Sequence, residues 1–131
     1  MAFLIHTVDY GQTAPWEYLP SGAITPEVGK AMALTDGALA VAGGTTKPTH
    51  ICMRHEDAAV ASDTILPVVK ADPAIIWETT FSAAADSVAV GDKVTLSADG
   101  LQVTGTTTSG VATVVWMEGT AAGDKVRVRF E

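Results

Sequence analysis

One short pattern recurs three times in this chain, and it constrains the fold more than any other feature of the sequence. In residues 90–103 a glycine leads into alternating apolar and polar residues, and an Asp-Gly pair then turns the chain into a second alternating run. Residues 28–39 repeat this arrangement, and residues 122–128 repeat its first half. Alternation predicts half-buried strands, and Asp-Gly between two such runs predicts a hairpin. Because a lone hairpin is marginally stable in water, the repeats predict an all-β body.

The remaining chain continues this pattern of short strands. Strand-like segments rich in β-branched and aromatic residues occupy residues 49–54, 65–69, 75–81 and 111–117, and glycine or proline separates them. About seven or eight short antiparallel strands at this spacing predict a small β-barrel or sandwich. With 131 residues the chain has the length of one ordinary domain. The alternation predicts one shared core that includes six apolar residues, Val94, Leu96, Leu101, Val126, Val128 and Phe130.

The first 22 residues differ from the rest of the chain. Four aromatic residues, Phe3, Tyr10, Trp16 and Tyr18, are interleaved with proline and glycine, and neither a strand period nor a helix period persists. Such a segment is extended, and its aromatic side chains need a surface to lie on. They either pack on the protein's own body or dock on a partner. We therefore divide the chain into an extended N-terminal arm, residues 1–22, and a β-barrel domain, residues 23–131, with the four aromatic residues as the partner-binding candidates.

Charge and cysteine content narrow the classes of partner. Eight basic and fifteen acidic side chains give a net charge of −7, which opposes binding to nucleic acid or to an anionic membrane surface. No segment approaches the length of a membrane span, and the start lacks the features of a signal peptide, so we expect a product of the cytoplasm. Cys52 is the only cysteine, and no disulfide can form within the chain.

The sequence holds one cluster of metal-binding residue types, formed by His50, Cys52 and His55. A structural zinc site needs four ligands, usually as two spaced pairs, and no second pair follows downstream. On a strand, His50 and Cys52 would share one face while His55 would leave it. The cluster therefore predicts a half-buried strand with a satisfied histidine, and no metal site.

Patterns of catalytic residues are also weak. The glycine pair in residues 43–48 is followed by a lysine, but this lysine precedes a proline and a strand, unlike the lysine of a phosphate-binding loop. No serine lies in a nucleophile elbow. The acidic residues fall singly in predicted turns, and the sequence leaves open whether two of them converge in a cleft. We expect no enzyme activity and no cofactor.

Four segments together carry a resemblance to a known family. Residues 24–34 read ITPEVGKAMAL, residues 47–51 read KPTHI, residues 91–94 read GDKV, and residues 123–128 read GDKVRV. In this combination, residues 23–131 of the small acidic chain resemble the head decoration proteins, or capsid cement proteins, of tailed phages and related prophages.

The resemblance implies a structural function. Members of that family are β-rich and often trimeric, sit on the outside of an expanded capsid, and clamp neighbouring subunits of the major capsid protein through an extended N-terminal arm. For this chain it implies a homo-oligomer that is made in the bacterial cytoplasm and ends in the virion, on the capsid exterior. Several arms on one oligomer would combine weak contacts into tight attachment.

Two other classes of function remain open. The first is a sugar- or peptide-binding β-module that uses Trp16, Tyr18, Trp77 or Trp116 as an aromatic platform. A solvent-facing pair of these side chains would favour such a module, and burial would remove a residue from the platform. The second is an acidic enzyme subunit, which would require two close carboxylates in a deep cleft.

Overall fold

The computed structural model describes residues 2–131 and shows two antiparallel sheets of five strands each. Within these residues the strands are β1 (Leu4–Val8), β2 (Trp16–Pro20), β3 (Ala31–Thr35), β4 (Ala38–Val41), β5 (His50–Cys52), β6 (Ile65–Lys70), β7 (Ile75–Thr80), β8 (Lys93–Val94), β9 (Ala112–Met117) and β10 (Lys125–Arg129), with one 3₁₀ turn at Asp9–Gly11. No helix within residues 2–131 combines the length and the apolar character needed to cross a membrane.

The two sheets form a sandwich. Sheet A has the strand order β1-β7-β10-β9-β8, and sheet B has the order β2-β6-β5-β3-β4. The predicted all-β class is confirmed, and of the two predicted architectures the structure is sandwich-like and is not a closed barrel. The main core lies between the sheets and contains Trp77, Val126 and Val128 from sheet A and Ile51 and Val69 from sheet B.

Of the six predicted core residues, five are buried, and Leu101 is only half-buried. The reason is the register of the hairpin around it. Leu96 pairs with Val103, and the Ser97 N–H donates to the carbonyl of Gln102, so Leu101 falls in the connecting loop. Val103 occupies the buried position instead.

The repeated glycine pattern forms the same turn in all three copies. Gly29, Gly91 and Gly123 have φ values of 86°, 98° and 88°, in the left-handed region that favours glycine. In each copy the residue after the glycine donates its N–H to the carbonyl three residues before it, which defines a type II turn leading into β3, β8 or β10. The pattern is therefore a device for entering a strand.

The aspartates of this pattern also have a structural role. The carboxylate of Asp92 accepts the N–H of Ala89 at 2.9 Å, and that of Asp124 accepts the N–H of Ala121 at 3.0 Å. Each carboxylate thus satisfies the first backbone N–H of its own turn.

Sheet B is strongly curled and encloses a second, smaller core. Its edge strands β2 and β4 meet where Ser21 bridges to Leu39 and where the Gly22 N–H donates to the Leu39 carbonyl at 2.9 Å. Inside the curl lie Met32, Leu39, Cys52, Leu66 and Val68, with Leu19 and Ile24 packed against them. Because side chains alternate along a strand, sheet B contributes one face to each core.

The structure does not show the extended N-terminal arm that the sequence predicts. β1 pairs with β7 at the edge of sheet A, and β2 pairs with β6 at the edge of sheet B. Phe3 is fully buried, with its ring edge-to-face against Phe130 at a centroid distance of 5.3 Å. Its N–H donates to the carbonyl of Gly29 at 3.0 Å. The burial of Phe3 favours the alternative in which the start of the chain packs on the protein's own body.

Candidate partner-binding surface

Two of the predicted partner-binding residues lie side by side on β2. Trp16 and Tyr18 alternate with Glu17 and therefore share one face of the strand, where they are 52% and 70% exposed. Across the ladder they are paired with Val69 and Pro67 of β6. β2 is an edge strand, so both aromatic side chains stand at the border of sheet B.

Within the part of the chain that the structure describes, the main chain of β2 leaves hydrogen-bonding groups free at this border. The Lys70 N–H donates to the Pro15 carbonyl and the Ser21 N–H donates to the Thr64 carbonyl, which fixes the hydrogen-bonded pairs at odd positions of β2. The N–H and C=O groups of Trp16 and Tyr18 therefore point away from β6. The free edge is short, because the contact between Ser21 and Leu39 follows at its end.

Apolar residues of the neighbouring strand extend the exposed aromatic pair. Ile65 lies opposite Pro20 and is 53% exposed, and half-buried Pro67 lies opposite Tyr18. Directly opposed residues share a face. We call the set formed by Trp16, Tyr18, Pro20, Ile65 and Pro67 the edge surface. Sequence reasoning missed Ile65 and Pro67. A proline within an apolar run is typical of an edge or bulged strand, but β6 lies between β2 and β5 in sheet B.

The other two predicted residues lie elsewhere. Phe3 contacts the protein's own core and its side chain cannot reach a partner in this arrangement. Tyr10 lies in the turn after β1 with a φ of 60° and is 98% exposed. Trp16 and Tyr18 thus lie together on β2, whereas Phe3 precedes β1 and Tyr10 lies in the 3₁₀ turn that follows it.

A series of polar contacts connects β2 to β5 on the face opposite the aromatic residues of β2. His50 of β5 is only 6% exposed, and its Nε2 lies 3.1 Å from Oε1 of Glu17. Its Nδ1 lies 2.8 Å from Oγ1 of Thr49, which also accepts the Leu34 N–H at 2.8 Å. In a neutral imidazole this geometry fits a hydroxyl that donates to Nδ1 and an Nε2–H that donates to the carboxylate. Glu17, between Trp16 and Tyr18, is thereby tied to the centre of sheet B.

The residues of the metal-type cluster are separated. His50 and Cys52 share a face of β5, and His55 lies in the following loop, where its Nε2 is 3.0 Å from Asp57. The Cys52 thiol lies in the second core and donates to the carbonyl of Arg54, and burial raises its pKa. Within residues 2–131 no three His, Cys, Asp or Glu side chains are grouped so that they could hold a metal ion.

The tryptophans divide by environment. Trp77 is fully buried in the main core and is removed from any aromatic platform. Trp116 lies on the outer face of sheet A with the Arg127 guanidinium 4.1 Å over its ring. Trp16 and Tyr18 are thus the most exposed members of the predicted platform, whereas Trp77 is buried and the Trp116 ring is partly covered by Arg127.

Comparison with known proteins adds no family to these observations. The chain matches no protein-family model and no curated protein sequence.

Proposed function

We propose that this protein is a structural protein that decorates the exterior of a tailed-phage or prophage head and stabilises it by binding neighbouring subunits of the major capsid protein. The sequence pattern of residues 23–131 supports this assignment by its resemblance to head decoration proteins. The observation that carries the proposal is the edge surface, which combines two exposed aromatic side chains with a free strand edge.

An extended segment of a coat subunit is the ligand that this surface fits. Such a segment can pair with the free N–H and C=O groups of Trp16 and Tyr18, as in strand addition to a sheet edge. Its side chains on one face would then lie against the two aromatic rings and Ile65. Tyrosine and tryptophan are the residues that most often dominate the binding energy of protein interfaces. In a homo-oligomer several copies of the surface would act together and increase the apparent affinity.

We predict that replacing both aromatic residues weakens attachment to capsids. The variant Trp16→Ala/Tyr18→Ala should bind about tenfold more weakly or worse, since each side chain is an exposed anchor of a type that commonly contributes more than 1 kcal/mol. The measurement is co-sedimentation with purified capsids that lack the protein, over a range of concentrations. Tyr10→Ala is the matched control, because it removes an aromatic side chain that is more exposed but lies outside the edge surface.

A second variant separates main-chain pairing from side-chain contact. Tyr18→Pro removes one N–H from the free edge and leaves the ladder to β6 intact, because that N–H points away from β6. Tyr18→Ala is its matched control, because it removes the same ring and keeps the N–H. A greater loss of binding in Tyr18→Pro than in Tyr18→Ala supports strand addition. Circular dichroism checks that each variant is folded, and full binding by the folded Trp16→Ala/Tyr18→Ala protein would refute the edge surface as the contact.

A sugar- or peptide-binding module is the second candidate, and the same pair of exposed rings favours it. Aromatic faces stack on sugar rings as well as on apolar side chains. Titration with soluble oligosaccharides, followed by the emission of Trp16 in a Trp116→Phe background, distinguishes the two functions. Saturable quenching by an oligosaccharide, together with no binding to capsids, would favour the module.

A further inference from the structure

The outer face of sheet A carries a row of four side chains that crosses four strands. Leu4 of β1 is opposite Glu78 of β7, Glu78 is opposite Arg127 of β10, and Arg127 is opposite Trp116 of β9. Val126 and Val128 flank Arg127 and point into the main core, so Arg127 and its row point outward. The row runs from an apolar side chain through two charged ones to an aromatic ring.

Arg127 is held from two sides within this row. Its Nε donates to Oε2 of Glu78 at 2.9 Å, and its guanidinium lies 4.1 Å above the ring of Trp116. The side chain is 29% exposed. Among residues 2–131, Glu78 is the only hydrogen-bond partner of this guanidinium, and the edge formed by its two Nη atoms has none. Contact with the ring and the carboxylate restricts the rotamers of the side chain, so a ligand would not have to order it.

Arg129, two residues further along β10, provides the contrast. Both of its Nη atoms donate to the Asp9 carboxylate, each at 3.1 Å, and one of them also donates to the carbonyl of Pro73. Its fork of donors is therefore occupied by the protein itself. The two arginines share a strand and a face, and they differ in whether their terminal edge is free.

The surroundings of Arg127 favour an anionic ligand. Lys93, Lys125 and Arg129 lie on the same face, which therefore carries four of the eight basic side chains of a protein with a net charge of −7. The charge of Glu78 is already shared with Arg127, and that of Asp9 with Arg129. A guanidinium fork matches the two oxygens of a carboxylate, which it can bind with two parallel hydrogen bonds.

We propose that the free edge of Arg127, with Trp116 beneath it and Leu4 at the end of the row, is a binding site for an acidic side chain on an extended segment of a partner protein. Its ligand is a single carboxylate flanked by apolar side chains. One flank would lie on Leu4, which is exposed beyond Glu78, and the other on the open part of the Trp116 ring. This site lies on the other sheet from the edge surface and does not depend on the capsid proposal.

The test uses the full-length protein and two tripeptide probes, acetyl-Leu-Glu-Leu-amide and its glutamine counterpart. Nuclear magnetic resonance follows the Nε–H signals of Arg127 and Arg129 and the indole N–H signals of the tryptophans. We expect the glutamate peptide to shift the signals of Arg127 and Trp116 in a saturable way, and the glutamine peptide to bind about tenfold more weakly because it lacks the charge. Arg129 should not respond.

Two variants complete the test. Arg127→Lys keeps the charge but removes the planar fork, so it should weaken binding of the glutamate peptide and reduce the difference between the two peptides. Arg129→Lys should leave the response of Arg127 and Trp116 unchanged. Three results would each overturn the proposal: equal shifts with both peptides, an Arg129 signal that shifts as much as that of Arg127, or an unchanged shift of the Trp116 signal in Arg127→Lys. Binding of inorganic phosphate at Arg127 without binding of the glutamate peptide would also overturn it.

Discussion

At the scale of single residues, the three turn glycines share a backbone conformation and differ in their surroundings. A Cβ atom added at Gly91 or Gly123 would meet no other atom within 4 Å, whereas at Gly29 it would lie 2.6 Å from the Cβ of Ala2 and from the carbonyl oxygen of Phe3. The N–H of Gly29 also donates to the carbonyl of Cys52 at 2.7 Å. Gly29 is thus a turn glycine, and it is also the residue against which Ala2 and the backbone of Phe3 pack.

We predict that Gly29→Ala destabilises the protein more than Gly91→Ala does. Both substitutions place a side chain in the left-handed region, at a cost of about 1 kcal/mol. At Gly29 the added methyl group must also displace the backbone of Phe3, which should raise the loss to about 3 kcal/mol. Urea denaturation measures the free energy of unfolding of both variants. Equal losses would show that residues 2 and 3 do not rest on Gly29.

At the scale of secondary-structure elements, the first 20 residues supply one edge strand to each sheet. The sequence did not predict these strands because their local pattern is broken. The register of β1 against β7 shifts between Ile5 and Thr7, and four of the five β1 side chains are exposed. A bulge interrupts the alternation on which strand prediction depends. The burial of Phe3 depends on Phe130, at the other end of the sequence, and no local signal indicates it.

We predict that the start of the chain is required for stable folding. Phe3→Ala should cost about 3–5 kcal/mol because it removes a fully buried ring, whereas Tyr10→Ala should cost less than about 0.5 kcal/mol. A chain that begins at Ser21 lacks Phe3, β1 and β2, and should lose its cooperative thermal transition. Thermal denaturation, monitored by circular dichroism, measures the stability of Phe3→Ala, Tyr10→Ala and the shortened chain.

The division of the chain at residue 22 leads to the opposite expectation. If residues 23–131 were an autonomous domain, the shortened chain would remain folded with an unchanged melting temperature. That outcome would show that β1 and β2 add little to either core, and that the segment could leave the body to bind a partner.

At the scale of the whole molecule, the two cores are joined through the strands they share. Ile51 and Cys52 are neighbours on β5, and the first lies in the main core while the second lies in the smaller one. Val69 and Val68 of β6 divide in the same way. These strands cannot leave one core without leaving the other, so the sandwich should unfold as one unit.

We predict that probes of the two cores report the same unfolding transition. In a Trp16→Phe/Trp116→Phe background, the emission of buried Trp77 reports on the main core. Reaction of Cys52 with a thiol reagent reports on the second core, because its thiol is buried and its raised pKa leaves little reactive thiolate in the folded state. Both urea transitions should have one midpoint. Labelling of Cys52 at a urea concentration where Trp77 emission is still native would show that sheet B opens by itself.

The sequence by itself determined the features that depend on neighbouring residues. Alternation indicated which side chains of β10 point inward, the Asp-Gly pair of residues 36 and 37 predicted the hairpin of β3 and β4, and the glycine pattern predicted the strand entries. It also named Phe3, Tyr10, Trp16 and Tyr18 together as partner candidates, and that stays a prediction. The predictions about faces, hairpin and strand entries hold because the pleat and the turn conformations are set within a few residues.

Only the tertiary structure decided which strands pair and what each face meets. Trp16 lies beside β6, some fifty positions away in sequence, and Arg127 lies between Glu78 and Trp116 because β10 pairs with both β7 and β9. Any alternating strand offers the same backbone groups to many partners. The choice among them depends on the burial of apolar area over the whole chain, and no short stretch of sequence contains that information.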